Sequence, residues 1–306
     1  MSTRELIVHG PETVSWRVVL DPLMVVAGVR ALMLQALHPT TMRGVWQNSN
    51  FLEEPLDRLF NTANFVAVTT VGTPEQADEL GARVRAVHKR LRIKDPDTGR
   101  THHVDDPELL RWVHCAEVAS YLEVITRRGL RLTPEEIDRY YDEQRHTATY
   151  VGLHAEDVPG DAAAMAAYFE AFRTELRVIP ESRATVRFLL WPKMPRKLRF
   201  LAPFTFVWFP IGAMAYYTLP KWARDLYGSL PEIPGVQPLV TLGLKLNRFA
   251  VLAVPAEIRG RAFKPETREL MRDVHRRLAA LGIRSRRNLQ KVRVDRPGPD
   301  ARVAAG

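Results

Sequence analysis

The sequence predicts an all-α protein, and three observations support this prediction. Apolar residues recur at helical spacing through most of the chain, the alternating pattern of strands is almost absent, and residues that begin helices occur at intervals. With 46% hydrophobic and 26% charged residues, the 306-residue chain can bury a sizeable core. We expect one large multi-helix domain over residues 21–287, after a lead-in of residues 1–20 and before a flexible polar tail of residues 288–306.

Composition narrows the classes of function. The one cysteine, Cys115, allows neither an intrachain disulfide nor a zinc site that needs several thiolates. The net charge of +9 is compatible with nucleic acid or an anionic membrane as partners. No zinc-finger or RRM signature is present, so we do not expect nucleic-acid binding. The N-terminus lacks a basic-then-apolar signal sequence, and we expect a cytoplasmic protein that can lie peripherally at a membrane.

Helix-start signals divide the N-terminal half. Each combines a capping residue with a proline at the first helical position: Asp21-Pro22, Thr73-Pro74, Asp106-Pro107 and Thr133-Pro134. Helical spacing of apolar residues then predicts helices at Leu23–Leu37 and Leu56–Val71, from Thr73 through Lys89, from Asp106 to Gly129 and from Thr133 to about Tyr150. The first of these helices is apolar on nearly all sides, which predicts a buried element.

Two segments between these helices are predicted to be loops. His38-Pro39 ends the first helix, because a proline disfavours helical conformation in the residue before it, and a mixed loop follows as far as Pro55. The segment between Lys94 and Asp105 is dense in turn formers and suits a tight hairpin.

The C-terminal half contains an uncharged stretch, Leu201–Leu219, that would nearly span a bilayer. Pro203 and Pro210 lie inside it, and buried helices of large helical proteins have the same composition, so a core helix, a shallow membrane contact and a span all stay open. The other helices predicted here are Asp161–Val178, Glu181–Trp191, Pro220–Leu226, Pro234–Val254 and Lys264–Leu281.

Two neighbouring helices carry nitrogen donors that can face each other. The first has Arg85, His88 and Lys89 within about one turn, and the second has His114 on an otherwise apolar face. Such a pair can hold a metal or a metal-bearing cofactor, with His114 as an axial ligand of haem iron. The residues also allow the plainer interpretation that His114 is a core histidine and that Arg85 and His88 lie on a solvated helix face.

A second candidate metal motif is Glu143-x-x-His146, the element of carboxylate-bridged di-iron bundles. Those sites need two such elements and further glutamates from other helices. The sequence has no second copy in a matching place, so this motif is a weak indication.

Several motifs in order resemble the MpaB and latex-clearing-protein oxygenase family over roughly residues 20–230. They are Leu37-His38-Pro39, Pro55-Leu56-Asp57-Arg58-Leu59, Arg85-x-x-His88, Asp106-Pro107-Glu108-Leu109-Leu110-x-Trp112-Val113-His114 and Leu219-Pro220-x-Trp222-Ala223-Arg224. The resemblance implies an all-α fold around a buried pocket with one haem b. It also implies an enzyme that uses dioxygen to cleave carbon–carbon double bonds in isoprenoid chains.

Carried over by position, the family's axial histidine falls on His114 and its arginine on Arg85. Rubber-cleaving members place a lysine and a threonine where this chain has His88 and Lys89, so His88 would either ligate the iron or stand back and bond dioxygen. Their proposed catalytic glutamate falls near Thr69. No glutamate is present there, and this departure from the family's pattern favours a smaller isoprenoid or another lipophilic molecule over polyisoprene as substrate. We assign Arg85, His88 and Lys89 to catalysis, and add His38 and Arg58 to the haem pocket.

We therefore predict a haem b-dependent oxygenase that acts with dioxygen on a small lipophilic, isoprenoid-like or alkene-containing substrate, with His114 as axial ligand. Two alternatives stay open. One is a non-catalytic helical protein that binds lipid or a membrane surface through Leu201–Leu219 and its basic flanks. The other is a non-haem di-iron oxygenase that uses Glu143 and His146.

Overall fold

The computed structural model describes residues 7–49, 55–192, 204–228, 230–231, 233–255 and 265–280. Within these ranges the chain forms thirteen α-helices and one two-stranded sheet, which confirms the predicted all-α class. The helices of the N-terminal half are α1 (Val14–Val19), α2 (Met24–Gln35), α3 (Pro39–Asn48), α4 (Pro55–Val71), α5 (Pro74–His88), α6 (Pro107–Arg127) and α7 (Pro134–Thr149). Those of the C-terminal half are α8 (Ala162–Phe172), α9 (Pro180–Leu190), α10 (Phe204–Tyr217), α11 (Lys221–Tyr227), α12 (Val236–Ala253) and α13 (Pro265–Ala280).

Helices α2 and α6 lie together at the centre of the main hydrophobic core. The charged Arg30 of α2 is buried between them, where its Nη1 donates to Ser120 Oγ at 2.6 Å and its Nε donates to the Thr218 carbonyl at 3.0 Å. Burial lowers the pKa of Arg30 to about 10. These bonds join α2, α6 and the segment after α10, and they give the buried charge two acceptors.

Capping boxes begin α5 and α7 as predicted. Thr73 Oγ1 accepts a hydrogen bond from Gln76 N and Gln76 Oε1 accepts one from Thr73 N, and Thr133 and Glu136 repeat the pattern at α7. The predicted hairpin is also present, as strands β1 (Arg92–Lys94) and β2 (Thr101–His103) paired antiparallel with Ile93 opposite His102. Local side-chain chemistry was therefore sufficient to locate these elements.

The segment from His38 to Pro55, predicted to be a loop, is helical over most of its described length, as α3. Pro39 takes the first helical position, where its missing N–H costs nothing, and His38 caps the helix by accepting a hydrogen bond at Nδ1 from Thr41 N at 3.2 Å. The prediction was wrong because histidine is not among the usual capping residues. Residues 50–54 of this segment lie outside the described part of the chain.

Helix α1 and part of the uncharged stretch complete the described fold. Helix α1 lies within residues 1–20, and its Val14 and Val18 are buried in the main core. The expected tail, residues 288–306, lies outside the described residues, as do residues 201–203 of the uncharged stretch. The rest of that stretch forms α10, whose C-terminal turn from Met214 to Tyr217 is buried in the core. Across the described ranges, no helix is both long and apolar enough to cross a bilayer.

Helix α8 is shorter than predicted. It ends at Phe172, and a turn of 3₁₀ helix at Arg173–Glu175 leads on to α9. This turn follows Phe172, whose ring stacks on Trp112 of α6.

Candidate functional site

Helix α6 holds the central candidate residue on a buried element. Asp106 caps it by accepting a hydrogen bond from Glu108 N at 2.9 Å, Pro107 takes the first helical position, and Gly129 follows the helix with a φ of +116°. Twelve of its 21 residues are buried, on nearly all sides. A residue on this helix is therefore held rigidly and is shielded from water.

His114 is 7% exposed, and its Nε2 is buried with no hydrogen-bond partner among the residues that the structure describes. Burial lowers the pKa of His114 to about 4, while a hydrogen bond to the backbone of Gln144 on α7 acts in the opposite direction. The imidazole is therefore neutral at pH 7. Because buried polar atoms are nearly always hydrogen-bonded, a buried Nε2 without a partner fits a nitrogen that binds a ligand.

Aromatic side chains form a wall beside this part of α6. The Trp112 ring is stacked on Phe172 with centroids 5.1 Å apart, and its Nε1 donates to the Gln35 carbonyl at 3.1 Å. His38 lies on the same cluster, with its ring 5.5 Å from that of Phe172. Its Nδ1 is used to cap α3, and burial lowers its pKa to about 4. The structure therefore places His38 near the site as a neutral residue of the wall.

The three residues predicted to be catalytic lie at the end of α5 and differ in their surroundings. Arg85 is half-buried, and its Nη1 donates to the Tyr150 carbonyl at 2.9 Å, just after α7. His88 is half-buried, whereas Lys89, the C-cap residue of α5, is exposed. Both Arg85 and His114 thus contact the α7 segment, at Tyr150 and at Gln144. These two positions are six residues apart, or about 9 Å along a helix axis.

Two other predicted positions have different outcomes. Arg58 lies in α4, but its side chain is outside the described part of the chain. Thr69, where the family's glutamate would fall, is buried and its Oγ1 donates to the Phe65 carbonyl at 2.9 Å. Position 69 therefore supplies a satisfied hydroxyl and no carboxylate.

The Glu143-x-x-His146 motif is used in hydrogen bonds within the fold. The Glu143 carboxylate accepts from Val14 N at 3.2 Å and from Ser15 N at 2.7 Å, so it caps the first turn of α1. His146 Nε2 pairs with the Tyr150 hydroxyl at 3.0 Å. Among the residues described, no group of three or more His, Cys, Asp or Glu side chains is arranged to hold a metal.

Sequence reasoning missed one polar pair on α6, Glu117 and Tyr121. The Tyr121 hydroxyl donates to the Glu117 carboxylate, and burial raises the pKa of both groups. Glu117 follows His114 by three residues and so lies on the same side of the helix. The signal was present in the sequence, because Glu117 lies three residues after His114 and four before Tyr121, spacings that place all three on one side of the helix.

The fold and site define an all-α protein in which a buried imidazole nitrogen is available between packed helices. Residues 16–254 match the family described as ER-bound oxygenase mpaB/B'/rubber oxygenase, catalytic domain. The chain belongs to this family, and it is an oxygenase. No curated protein and no solved structure is significantly similar to it.

Proposed function

We propose that this oxygenase depends on haem b, with His114 as the axial ligand, and acts with dioxygen on a small lipophilic alkene such as an isoprenoid. One observation supports the proposal most directly: the buried Nε2 of His114 has no hydrogen-bond partner in the described part of the chain. Neutral imidazole is a common axial ligand of haem iron. The residues present therefore fit the cofactor at its ligating atom.

The helices give His114 what an axial ligand needs. Burial keeps the imidazole neutral, so Nε2 does not have to lose a proton before it binds. The backbone of Gln144 holds the ring in orientation, as a carbonyl commonly does for a ligating histidine. Trp112 and Phe172 exclude water from one side. Haem, when bound, supplies the redox chemistry with dioxygen.

We assign the polar contacts of the cofactor to the end of α5, where Arg85, His88 and Lys89 lie. The Tyr150 carbonyl uses one N–H of Arg85, so the other guanidinium donors can bind an anionic group of the cofactor or order the distal side. Of the two residues that can hold a proton near dioxygen, the half-buried His88 is favoured over the exposed Lys89. A satisfied Thr69 at the position of the rubber cleavers' glutamate supports a substrate other than polyisoprene.

The alternative di-iron function has less support. It would require Glu143 and His146 to bind metal, whereas Glu143 accepts two backbone hydrogen bonds at α1 and His146 pairs with Tyr150. Releasing the carboxylate would leave the Val14 and Ser15 N–H groups in the first turn of α1 without their acceptor.

The test is the absorption spectrum of protein expressed with a haem precursor. We expect a Soret band that is lost in His114→Ala and partly restored when imidazole is added to His114→Gly. His103→Ala is the matched control, because His103 is an exposed hairpin histidine. Circular dichroism confirms that each variant is folded. A Soret band of full intensity in folded His114→Ala, or bound non-haem iron without a Soret band, would overturn the assignment.

A further inference from the structure

Helix α12 has one face inside the protein. Val236, Val240 and Leu244 are buried in the main hydrophobic core. A Cβ atom at Gly243 would lie 3.2 Å from Met214 Sδ on α10, so a larger residue there would crowd the two helices. These contacts fix the rotation of α12 about its axis and thereby decide which residues face outward.

The outward face is apolar. Leu239, Leu242, Leu246 and Phe249 are 66%, 52%, 59% and 75% exposed. Their spacing of three, four and three residues places them on one side of the helix, in a stripe about 15 Å long at 1.5 Å per residue. We call these four residues the α12 stripe. Ile233 before the helix and Val254 after it are also exposed and extend the apolar surface at both ends.

Such a surface is unusual for a folded chain in water. Single exposed apolar residues are common, but a continuous row of large ones marks a surface that another molecule covers. Burying a leucine or phenylalanine side chain removes a large apolar surface from water, which is favourable. Four such side chains in one row therefore provide a strong driving force for docking.

The charges beside the stripe indicate what covers it. Helix α12 has no acidic residue. Lys245 is exposed next to Leu246, and Arg248 is half-buried and paired with Asp21, its Nε 3.0 Å from Asp21 Oδ2. The whole chain has a net charge of +9. An apolar row with the exposed Lys245 at its edge and no acid on its own helix complements an anionic lipid surface.

We propose that the α12 stripe docks on an anionic phospholipid membrane, with α12 lying in the plane of the interface. A second copy of the chain fits the same stripe less well. A two-fold interface is self-complementary, so it would bring two acid-free helices, each with an exposed Lys245, against one another. The proposal does not depend on haem binding or on His114.

The stripe differs from the membrane contact that the sequence predicts. The uncharged stretch Leu201–Leu219 provides α10, whose C-terminal turn is buried and in contact with α12. The tertiary structure thus buries the C-terminal turn of α10 and leaves an apolar face of the less hydrophobic α12 at the surface.

The test is flotation of the full chain with vesicles of phosphatidylcholine alone or mixed with phosphatidylglycerol. We expect the wild type to float with the mixed vesicles and to bind at least about tenfold more weakly to the neutral ones. Binding should also weaken at about 1 M salt, where the Debye length is about 3 Å.

Variants separate the apolar and electrostatic contributions without adding acidic charge. Leu242→Gln/Leu246→Gln removes two stripe side chains and should weaken binding to mixed vesicles at least about tenfold. Lys245→Gln should weaken binding a few-fold and reduce the salt dependence. Val87→Gln is the matched control, since Val87 is 54% exposed on a different helix, α5, and should bind like the wild type. Glutamine is a good helix former, so the helices are preserved.

Three outcomes would overturn the proposal. The wild type could stay at the bottom of the gradient with both vesicle types. Leu242→Gln/Leu246→Gln could bind mixed vesicles as tightly as Val87→Gln does. A wild-type dimer by light scattering that becomes monomeric in Leu242→Gln/Leu246→Gln, with no flotation of either, would show instead that a second copy covers the stripe.

Discussion

The imidazole of His114 on α6 is bonded to the backbone of Gln144 on α7, and its Nε2 is buried without a partner in the described part of the chain. A bond to the helix backbone restricts how the ring can rotate. The side chain of Gln144 has a separate role, since its Nε2 donates to Ser15 Oγ at 2.8 Å and connects α7 to α1. At Gln144, the contact of the backbone with the His114 ring and the contribution of the side chain to stability are therefore separable.

Gln144→Met should lower stability without altering the cofactor site. Methionine keeps the volume but removes the bond to Ser15 and leaves that hydroxyl without its donor, which we expect to cost about 1–2 kcal/mol. The free energy of unfolding in urea measures the loss, and the position of the Soret band should stay the same. A shifted Soret band at unchanged stability would contradict this separation.

The apo protein should lose stability as the pH falls from about 6.5 toward 4. Burial lowers the folded-state pKa of His38 and of His114 to about 4, from an ordinary value of 6.5. Between these values the unfolded chain binds more protons than the folded one, so the free energy of unfolding rises with pH, by up to about 1.4 kcal/mol per pH unit for each group. Above pH 6.5 both states are neutral and this contribution is constant.

His38→Asn isolates one of these contributions. Asparagine is a good N-cap, so the cap on α3 is kept while one titrating group is removed. Urea unfolding at about pH 7.5, above this window, and at about pH 6 and 5, inside it, should show a smaller loss of stability at low pH than in the wild type. If the free energy of unfolding of His38→Asn changed with pH as steeply as that of the wild type, His38 would have the same pKa in the folded and unfolded states.

Glu143→Gln should act on α1 and not on metal content. Its carboxylate accepts from both Val14 N and Ser15 N, whereas a glutamine offers one oxygen and an amide that cannot accept. We expect a loss of about 1–2 kcal/mol in the free energy of unfolding. Glu79→Gln is the control, because Glu79 is exposed on α5, and it should leave the free energy of unfolding unchanged. Loss of bound iron in Glu143→Gln, with stability unchanged, would revive the di-iron hypothesis.

Arg85→Lys should speed the loss of haem. Lysine keeps the positive charge but lacks the planar fork that lets arginine bond the Tyr150 carbonyl and a second group together. Loss of one charge-assisted hydrogen bond, worth about 1.5 kcal/mol, corresponds to roughly tenfold faster transfer of haem to apomyoglobin. Arg83→Lys, an exposed position on the same helix, should transfer haem at the wild-type rate. Equal rates in the two variants would remove Arg85 from the cofactor site.

The sequence by itself determined the fold class, the family and most helix starts. Capping boxes at Thr73 and Thr133 and the cap at Asp106 could be read directly, because they depend on residues within one turn of each other. The same local rule failed at His38, which begins α3 as a less common cap. The ordered family motifs singled out His114, which periodicity alone could not distinguish from a core histidine.

Only the tertiary structure decided how side chains far apart in the sequence are used. Glu143 caps a helix 129 residues before it, a pairing that no local pattern encodes. The outward face of α12 and the C-terminal turn of α10 both consist mainly of large apolar residues, yet one is exposed and the other buried. Hydrophobic periodicity shows that one face of a helix is apolar. The packing of the other helices determines whether the protein itself covers that face.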